Sequence, residues 1–215
     1  MSEEPINNSP EVPDVIAVDF CPVPFVPFAK IGRLKRNCTI TEKIDGTNAQ
    51  IHISEGGQIY AGSRTRWIYP GKQTDNFGFA AWVKANAEEL MKLGPGTHYG
   101  EWWGQGIQRT YGLTEKRFSL FNVERWRDGR QERPSCCGVV PVLYEGDFDS
   151  TAIDQTFESL KLNGSSAGFG FPNPEGIVIY HVATKTYFKR TFEHDEEFVA
   201  SEARNKKHSG DGPNA

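Results

Sequence analysis

Lys43 and Asp45 stand two residues apart in the run Glu42-Lys43-Ile44-Asp45-Gly46-Thr47-Asn48. Strand side chains repeat every two residues, and the alternation Ile40, Ala49, Ile51, Ile53 allows a strand from Thr39 to Ile53. Such a strand would present an amine and a carboxylate on one face. An amine at its ordinary pKa of about 10.4 is a poor nucleophile at neutral pH. Cationic neighbours, a metal ion or desolvation make it a useful one. Gly46 lets the backbone bend or a ligand approach closely, and Thr47 and Asn48 supply short polar groups beside it. Downstream, Ser63-Arg64, Gly100-Glu101, Pro174-Glu175-Gly176-Ile177-Val178 and Lys189 bring a guanidinium, carboxylates and a second amine, types suited to a phosphate-rich, metal-dependent site.

The elements that must position these groups are legible from punctuation and periodicity. Residues 1–14, rich in Pro, Glu, Asn and Ser, read as a flexible lead-in, and Val15–Phe20 as a short strand. Gly56-Gly57 before Gln58-Ile59-Tyr60-Ala61-Gly62 predicts a hairpin. Asp75 opens an expected helix whose apolar face is Phe77, Phe79, Ala80, Trp82, Val83, Leu90 and Met91, ended by Gly94-Pro95-Gly96. Strands are expected at His98–Trp103, Phe118–Glu124, Val139–Tyr144, Glu175–Val182 and Thr186–Phe192, and a second helix at Ala152–Leu162 before Asn163-Gly164. The tail 204–215 reads as flexible. Strands with few helices and no internal repeat imply an α+β domain, residues 15–203, with antiparallel sheets flanked by helices.

Composition narrows the classes. The 215 residues are 37% hydrophobic and 12% aromatic, which fits one domain with a proper core. No apolar run approaches membrane-spanning length, and the acidic N-terminus has no basic-then-apolar signal, so a soluble, cytoplasmic, monomeric protein is expected, in the host cytoplasm if viral. Cys21, Cys38, Cys136 and Cys137 show no C-x-x-C spacing, and His52, His98, His181, His194 and His208 no metal-ligand spacing, which argues against a structural zinc site. A formal net charge of -4 excludes a protein coated in positive charge and leaves room for a local basic groove. Lys30, Arg33, Lys35, Arg36, Arg64 and Arg66 are the local concentrations, either such a groove or a solvated face. The Gly100 to Gly106 spacing matches neither the Walker A nor the Rossmann pattern.

Taken in order, K-x-D-G at Lys43, S-R at Ser63, G-E at Gly100 opening into Gly104-Gln105-Gly106-Ile107-Gln108, Phe121, E-G-x-V at Glu175 and Lys189 resemble the ATP-dependent RNA ligase family. That family lies within the covalent nucleotidyltransferase superfamily of polynucleotide ligases and capping enzymes. The match covers roughly residues 39–192, and its G-x-G-I-Q run favours RNA ligases over DNA ligases and capping enzymes. The resemblance implies a nucleotidyltransferase (ligase adenylation) fold, with Lys43 taking the adenylate and Asp45 acting beside it. It implies Glu42 near the adenine, Asn48 and Arg64 at phosphates, Glu101 on the ribose hydroxyls and Phe121 stacked on the adenine. Without the resemblance, Phe121 reads as ordinary core and Arg64 as an exposed hairpin residue. Glu175 is implied to hold Mg2+, with Mn2+ as a substitute, directly or through water. Lys189 is implied at the α-phosphate, where its charge would favour the neutral amine of Lys43 and stabilise the crowded phosphorus.

One position departs from the family pattern. Relatives carry two lysines at K-x-K spacing, whereas Tyr187 holds the first position here, and Lys185, two residues earlier on the same expected strand face, is the available substitute. The function implied is joining of 5'-phosphate and 3'-hydroxyl ends of RNA, using ATP and a divalent cation, through a lysyl-AMP intermediate. With 23 residues after Phe192, no carboxy-terminal OB domain is expected. Two other classes fit the same residues. A DNA ligase with the same chemistry would be told apart by the sugar at the nick, and a non-catalytic module that holds nucleic-acid ends would lack the covalent step.

Overall fold

The computed structural model describes residues 24–34 and 36–193. The lead-in, the strand expected at Val15–Phe20, Cys21, Lys35, His194, His208 and the tail from 204 lie outside the described residues. The chain divides after Ile31, and residues 24–31 hold no helix or strand. The strands are β1 (Asn37–Lys43), β2 (Thr47–Ile53), β3 (Ile59–Ser63), β4 (Trp67–Ile68), β5 (Gly96–Gly104), β6 (Lys116–Leu120), β7 (Cys137–Val139), β8 (Val142–Asp147), β9 (Gly176–His181) and β10 (Thr186–Thr191). The helices are α1 (Phe79–Ala85), α2 (Ala87–Leu90), α3 (Val123–Trp126) and α4 (Ser150–Asn163). Two sheets result among the described residues, in the orders β10-β9-β1-β8 and β4-β3-β2-β5-β6-β7. Neighbours pair antiparallel except β6 and β7, which run parallel. This is the expected α+β architecture.

Each sheet buries one face. In the four-stranded sheet Cys38, Ile40, Ile177 and Ile179 pack under Phe157 and Leu160 of α4. Helix α4 starts where the Asp149 carboxylate accepts from the Ala152 N–H and stops at Gly164, whose φ of 79° is left-handed. In the six-stranded sheet Ile51, Ile53, Ala61, Ile68, Trp102, Phe118 and Leu120 pack against Phe79, Val83 and Leu90. Fully burying a side chain of that size contributes about 1.5–3 kcal/mol.

Several expected elements differ in the structure, for identifiable reasons. The strand expected from Thr39 to Ile53 is two strands in two sheets, broken at Ile44-Asp45-Gly46, so Asp45 lies in a link. The alternation changes phase there: the buried positions are Cys38, Ile40 and Glu42 before the break and Ala49, Ile51 and Ile53 after it. The Val139–Tyr144 run splits in the same way around Pro141, which has no N–H for a ladder, and β7 and β8 join different sheets. Strand β6 ends at Leu120, because the Asn122 side chain accepts from the Arg125 N–H and starts α3.

Asp75 does not begin a continuous helix. Phe77 and Gly78 take positive φ (49° and 82°), and the Asp75 carboxylate accepts from the N–H groups of Ala80 and Ala81. The apolar run then divides into α1, α2 and a 3-10 turn at Met91–Leu93, closed by Gly94. The hairpin at Gly56-Gly57 is present as β2–β3.

A Cβ on Gly46 would stand 2.5 Å from the Trp102 carbonyl oxygen and 2.7 Å from Trp103 Cβ, so the crossing between sheets needs glycine. Gly46→Ala is expected to lower stability by about 1–3 kcal/mol through overpacking. Urea unfolding midpoints check this, and an unchanged midpoint would mean that the link is free to shift.

Candidate active site

Lys43 is the last residue of β1 and pairs with Gly176 of β9, which brings Glu175, just before that strand, to its side. Lys43 Nζ lies 2.5 Å from Glu175 Oε1, and the two side chains are 25% and 19% exposed. Glu175 Oε2 is buried and has no hydrogen-bond partner among the described residues. Burial raises the Glu175 carboxyl above its ordinary pKa, opposed by the Lys43 ammonium. Asp45 is held from a third direction. Its N–H donates to the Tyr111 hydroxyl at 2.7 Å, and its Oδ2 lies 3.0 Å from Arg109 Nε, outside hydrogen-bonding geometry. Arg109 also donates through Nη2 to Glu193 at 3.2 Å.

The six-stranded sheet supplies a second set. Asn48 of β2 faces Glu101 of β5 across the ladder, and its amide donates to Glu101 Oε2 at 3.0 Å. Glu101 is 7% exposed, and burial pushes its pKa up to about 7; the Lys43 charge opposes that shift and the Glu175 charge adds to it. Lys43, Glu175 and Glu101 therefore form one electrostatic neighbourhood fed by both sheets. Phe121 follows β6, donates its N–H to the Tyr99 carbonyl and is 38% exposed, so its ring is not core. Arg64 sits exposed in the β3–β4 turn, one residue past the Ala49–Ser63 pair and so beside Asn48.

The remaining expected site residues are placed by register. Lys189 pairs with Val178, which pairs with Thr41, and directly paired residues share a face. Lys189 therefore lies on the Lys43 face of the four-stranded sheet, two strands away. Lys185 is not on that strand: it occupies the β9–β10 turn with φ 54°, about 20 Å along β10 from the Thr191 end that lies by Glu175. The structure thus keeps Lys185 apart from the other site residues. Tyr187 lies against Tyr180 with ring centroids 4.7 Å apart. Glu42 faces away from Lys43, is 1% exposed, and accepts from the Ser165 hydroxyl (2.5 Å) and the N–H groups of Ser166 (2.8 Å) and Ala167 (2.9 Å). It fixes that loop, and burial raises its pKa against those three donors.

Sequence reading passed over Arg109, Tyr111 and Ser165. The signal for the first two was their place directly after Gly104-Gln105-Gly106-Ile107-Gln108. What that run hides is strain. Gln108, Thr110 and Tyr111 take φ of 42°, 58° and 52°, a region that non-glycine residues rarely adopt. The strained segment aims Arg109 and Tyr111 at Asp45.

Among the described residues no group of three or more His, Cys, Asp and Glu could hold a metal alone. The unpartnered, buried oxygen of Glu175 is nonetheless a fit for a hard cation that keeps most of its waters and takes one carboxylate from the protein.

A family model described as RNA ligase matches residues 36–199. No curated protein matches the chain. Among solved structures, a Naegleria gruberi RNA ligase variant with AMP and Mn is 18% identical with a TM-score of 0.53, covering 81% of this chain and 52% of that one. A variant with ATP and Mn is 20% identical with a TM-score of 0.52, covering 81% and 52%. The R4a apo form is 19% identical with a TM-score of 0.53, covering 80% and 52%. These likenesses are of fold, and this chain spans about half the length of those structures.

Glu101 yields a pH dependence. Its pKa is raised in the folded state, so its contribution to stability is present below the unfolded carboxylate range and is lost as pH rises towards about 7. Glu101→Gln is expected to gain on the wild type between pH 5 and 8, by up to about 3 kcal/mol at the upper end. Thermal unfolding across that range checks the sign; a variant that loses ground as pH rises would contradict it.

Proposed function

The chain belongs to the RNA ligase family, and on that premise we propose that it is an ATP-dependent ligase joining 5'-phosphate and 3'-hydroxyl ends of RNA through a lysyl-AMP intermediate on Lys43. The catalytic domain is proposed to span residues 15–203. The observation that carries this reading is the Lys43–Glu175 contact at the end of β1, where the chain crosses to the other sheet, with one Glu175 oxygen left over and Glu101 electrostatically coupled to both.

In the first step the neutral Lys43 amine attacks the α-phosphorus of ATP, a phosphoramidate N–P bond forms, and pyrophosphate leaves with the bond to the β-phosphate oxygen. AMP next passes to a 5'-phosphate, releasing the Lys43 amine. The 3'-hydroxyl then attacks the activated phosphorus, forming the phosphodiester and expelling AMP. Glu101 would accept from the ribose hydroxyls, its charged form favoured by the Asn48 amide that already donates to it. Phe121 would offer its exposed ring to the adenine, which fits an aromatic that is not packed into the core. Asn48 and Arg64 lie side by side at the end of the β2–β3 ladder, where phosphates could be held, and Lys189 shares the Lys43 face, where its charge suits the α-phosphate.

A divalent cation, magnesium or manganese, would be held by Glu175, water and the nucleotide phosphates, and would offset phosphate charge. Asp45, fixed by Arg109 and Tyr111, orients the link that carries Lys43. Glu42 would act near the adenine through the loop it anchors at Ser165. Lys185, distant from the rest, is assigned no part in the phosphate contacts.

Incubation with magnesium and ATP labelled at the α-phosphate, followed by a denaturing gel, tests the covalent step. The wild type is expected to carry label and Lys43→Ala none. Absence of label from wild-type protein freed of bound AMP, with manganese also tried, would sink the reading and leave a module that holds nucleic-acid ends. With label present, sealing of RNA nicks against DNA nicks decides the sugar.

A further inference from the structure

The wet face of β2, β3 and β4 is unusually aromatic. The opposite face of these strands is packed through Ile51, Ile53, Ala61 and Ile68, and a half-buried antiparallel sheet ordinarily turns polar side chains outward. Here the outward side chains of His52, Tyr60 and Trp67 form a three-ring cluster, with pairwise centroid distances of 6.0–6.1 Å. Tyr60 and Trp67 remain 44% and 49% exposed. The cluster is held in place: His52 Nδ1 lies 2.8 Å from the Thr97 hydroxyl.

Register ties this cluster to the candidate active site. His52 and Tyr60 are directly paired, and Gly62 links Trp67 to Gln50. Gln50 and His52 follow Asn48 at two-residue steps, so all three rings lie on the face that carries Asn48 and Glu101. The Trp67 row is about 7 Å along the strands from the Asn48–Glu101 row. The Gln50 side chain folds over Gly62, its Cγ 2.7 Å from where a Cβ on that glycine would stand, and donates to the Ser63 carbonyl. At the near end of the same hairpin the turn joining β3 to β4 exposes Arg64 and Arg66, and Lys72 follows, whereas Glu55 lies at the far end of β2. Two arginines therefore flank the Trp67 end of the cluster, and Glu55 lies in the turn beyond its His52–Tyr60 end.

We propose that Trp67, Tyr60 and His52 form a base-stacking platform for a single-stranded polynucleotide whose phosphorylated end reaches the Asn48–Glu101 row. Exposed rings accept any base on their π-faces, and the neighbouring guanidinium groups track the backbone phosphates. The proposal rests on the ligase reading for the identity of that end and extends it by naming the surface along which the strand runs.

Binding of a short, 5'-phosphorylated, fluorescein-labelled oligoribonucleotide is measured by anisotropy for wild type, Trp67→Ala, Tyr60→Ala and the matching Phe variants, with Lys43 labelling followed in parallel. Each alanine is expected to raise Kd about tenfold, each phenylalanine to restore most of the affinity, and Lys43 labelling to stay at the wild-type level. Alanine variants that still label and bind as the wild type does would overturn the platform, as would a wild type that labels but does not bind the oligonucleotide. Alanine variants that change sedimentation rather than oligonucleotide affinity would overturn it in favour of a contact between copies of the chain. Loss of oligonucleotide binding in the alanine variants of a protein that never labels at Lys43 would uphold the platform and remove the ligase chemistry instead.

Discussion

The crossing at Ile44-Asp45-Gly46 is the constraint around which the site is built. Three residues carry the chain from the end of one sheet to the start of the other, so Lys43 and Asn48 belong to different sheets only five residues apart. Ile44 anchors the crossing in a small core with Trp103, Tyr111, Val123 and Val140. Gly46 passes so close to the β5 backbone that no side chain fits. The strained Gln108–Tyr111 segment secures the link from outside, through Arg109 and the Tyr111 hydroxyl. A shift of this link would move Lys43 relative to every group on the six-stranded sheet.

Three glutamates beside the crossing, two of them buried and Glu175 partly so, illustrate how environment separates chemically equal side chains. Glu42 has a hydroxyl and two backbone amides on its oxygens and works as a structural tie. Glu101 has the Asn48 amide and is raised mainly by desolvation, which keeps it near the point of charging at neutral pH. Glu175 has an ammonium on one oxygen and nothing on the other. Leaving a buried carboxylate oxygen unsatisfied costs free energy in the isolated protein, and such a cost persists where a ligand removes it. The proposed cation and nucleotide would supply the missing charge and donors.

The two sheets divide the work along their faces. One face of each packs against helices; on the other, Asn48 is exposed and Lys43 partly so, whereas Trp103 and Val142 pack into the small core around Ile44. On the four-stranded sheet the Lys43 face carries the Tyr180–Tyr187 pair; on the six-stranded sheet the Asn48 face carries the aromatic cluster.

The local sequence determined much of this protein. Glycine pairs, capping residues and apolar periodicity located the β2–β3 hairpin, α4 and the β9–β10 pair, because turn and cap chemistry acts within a few residues. The ordered motifs also marked Lys43, Asp45, Glu101 and Glu175, which the fold brings into one neighbourhood. Only tertiary structure decided that the Thr39–Ile53 and Val139–Tyr144 runs each serve two sheets, since an apolar alternation reports burial of a face and not which partner buries it. It also decided that Glu42 turns away from Lys43, that Lys185 lies in a turn, and that Arg109 and Tyr111 reach Asp45 from sixty-four and sixty-six residues away. Contacts at that separation depend on how the sheets pack, and no spacing rule along the chain encodes them.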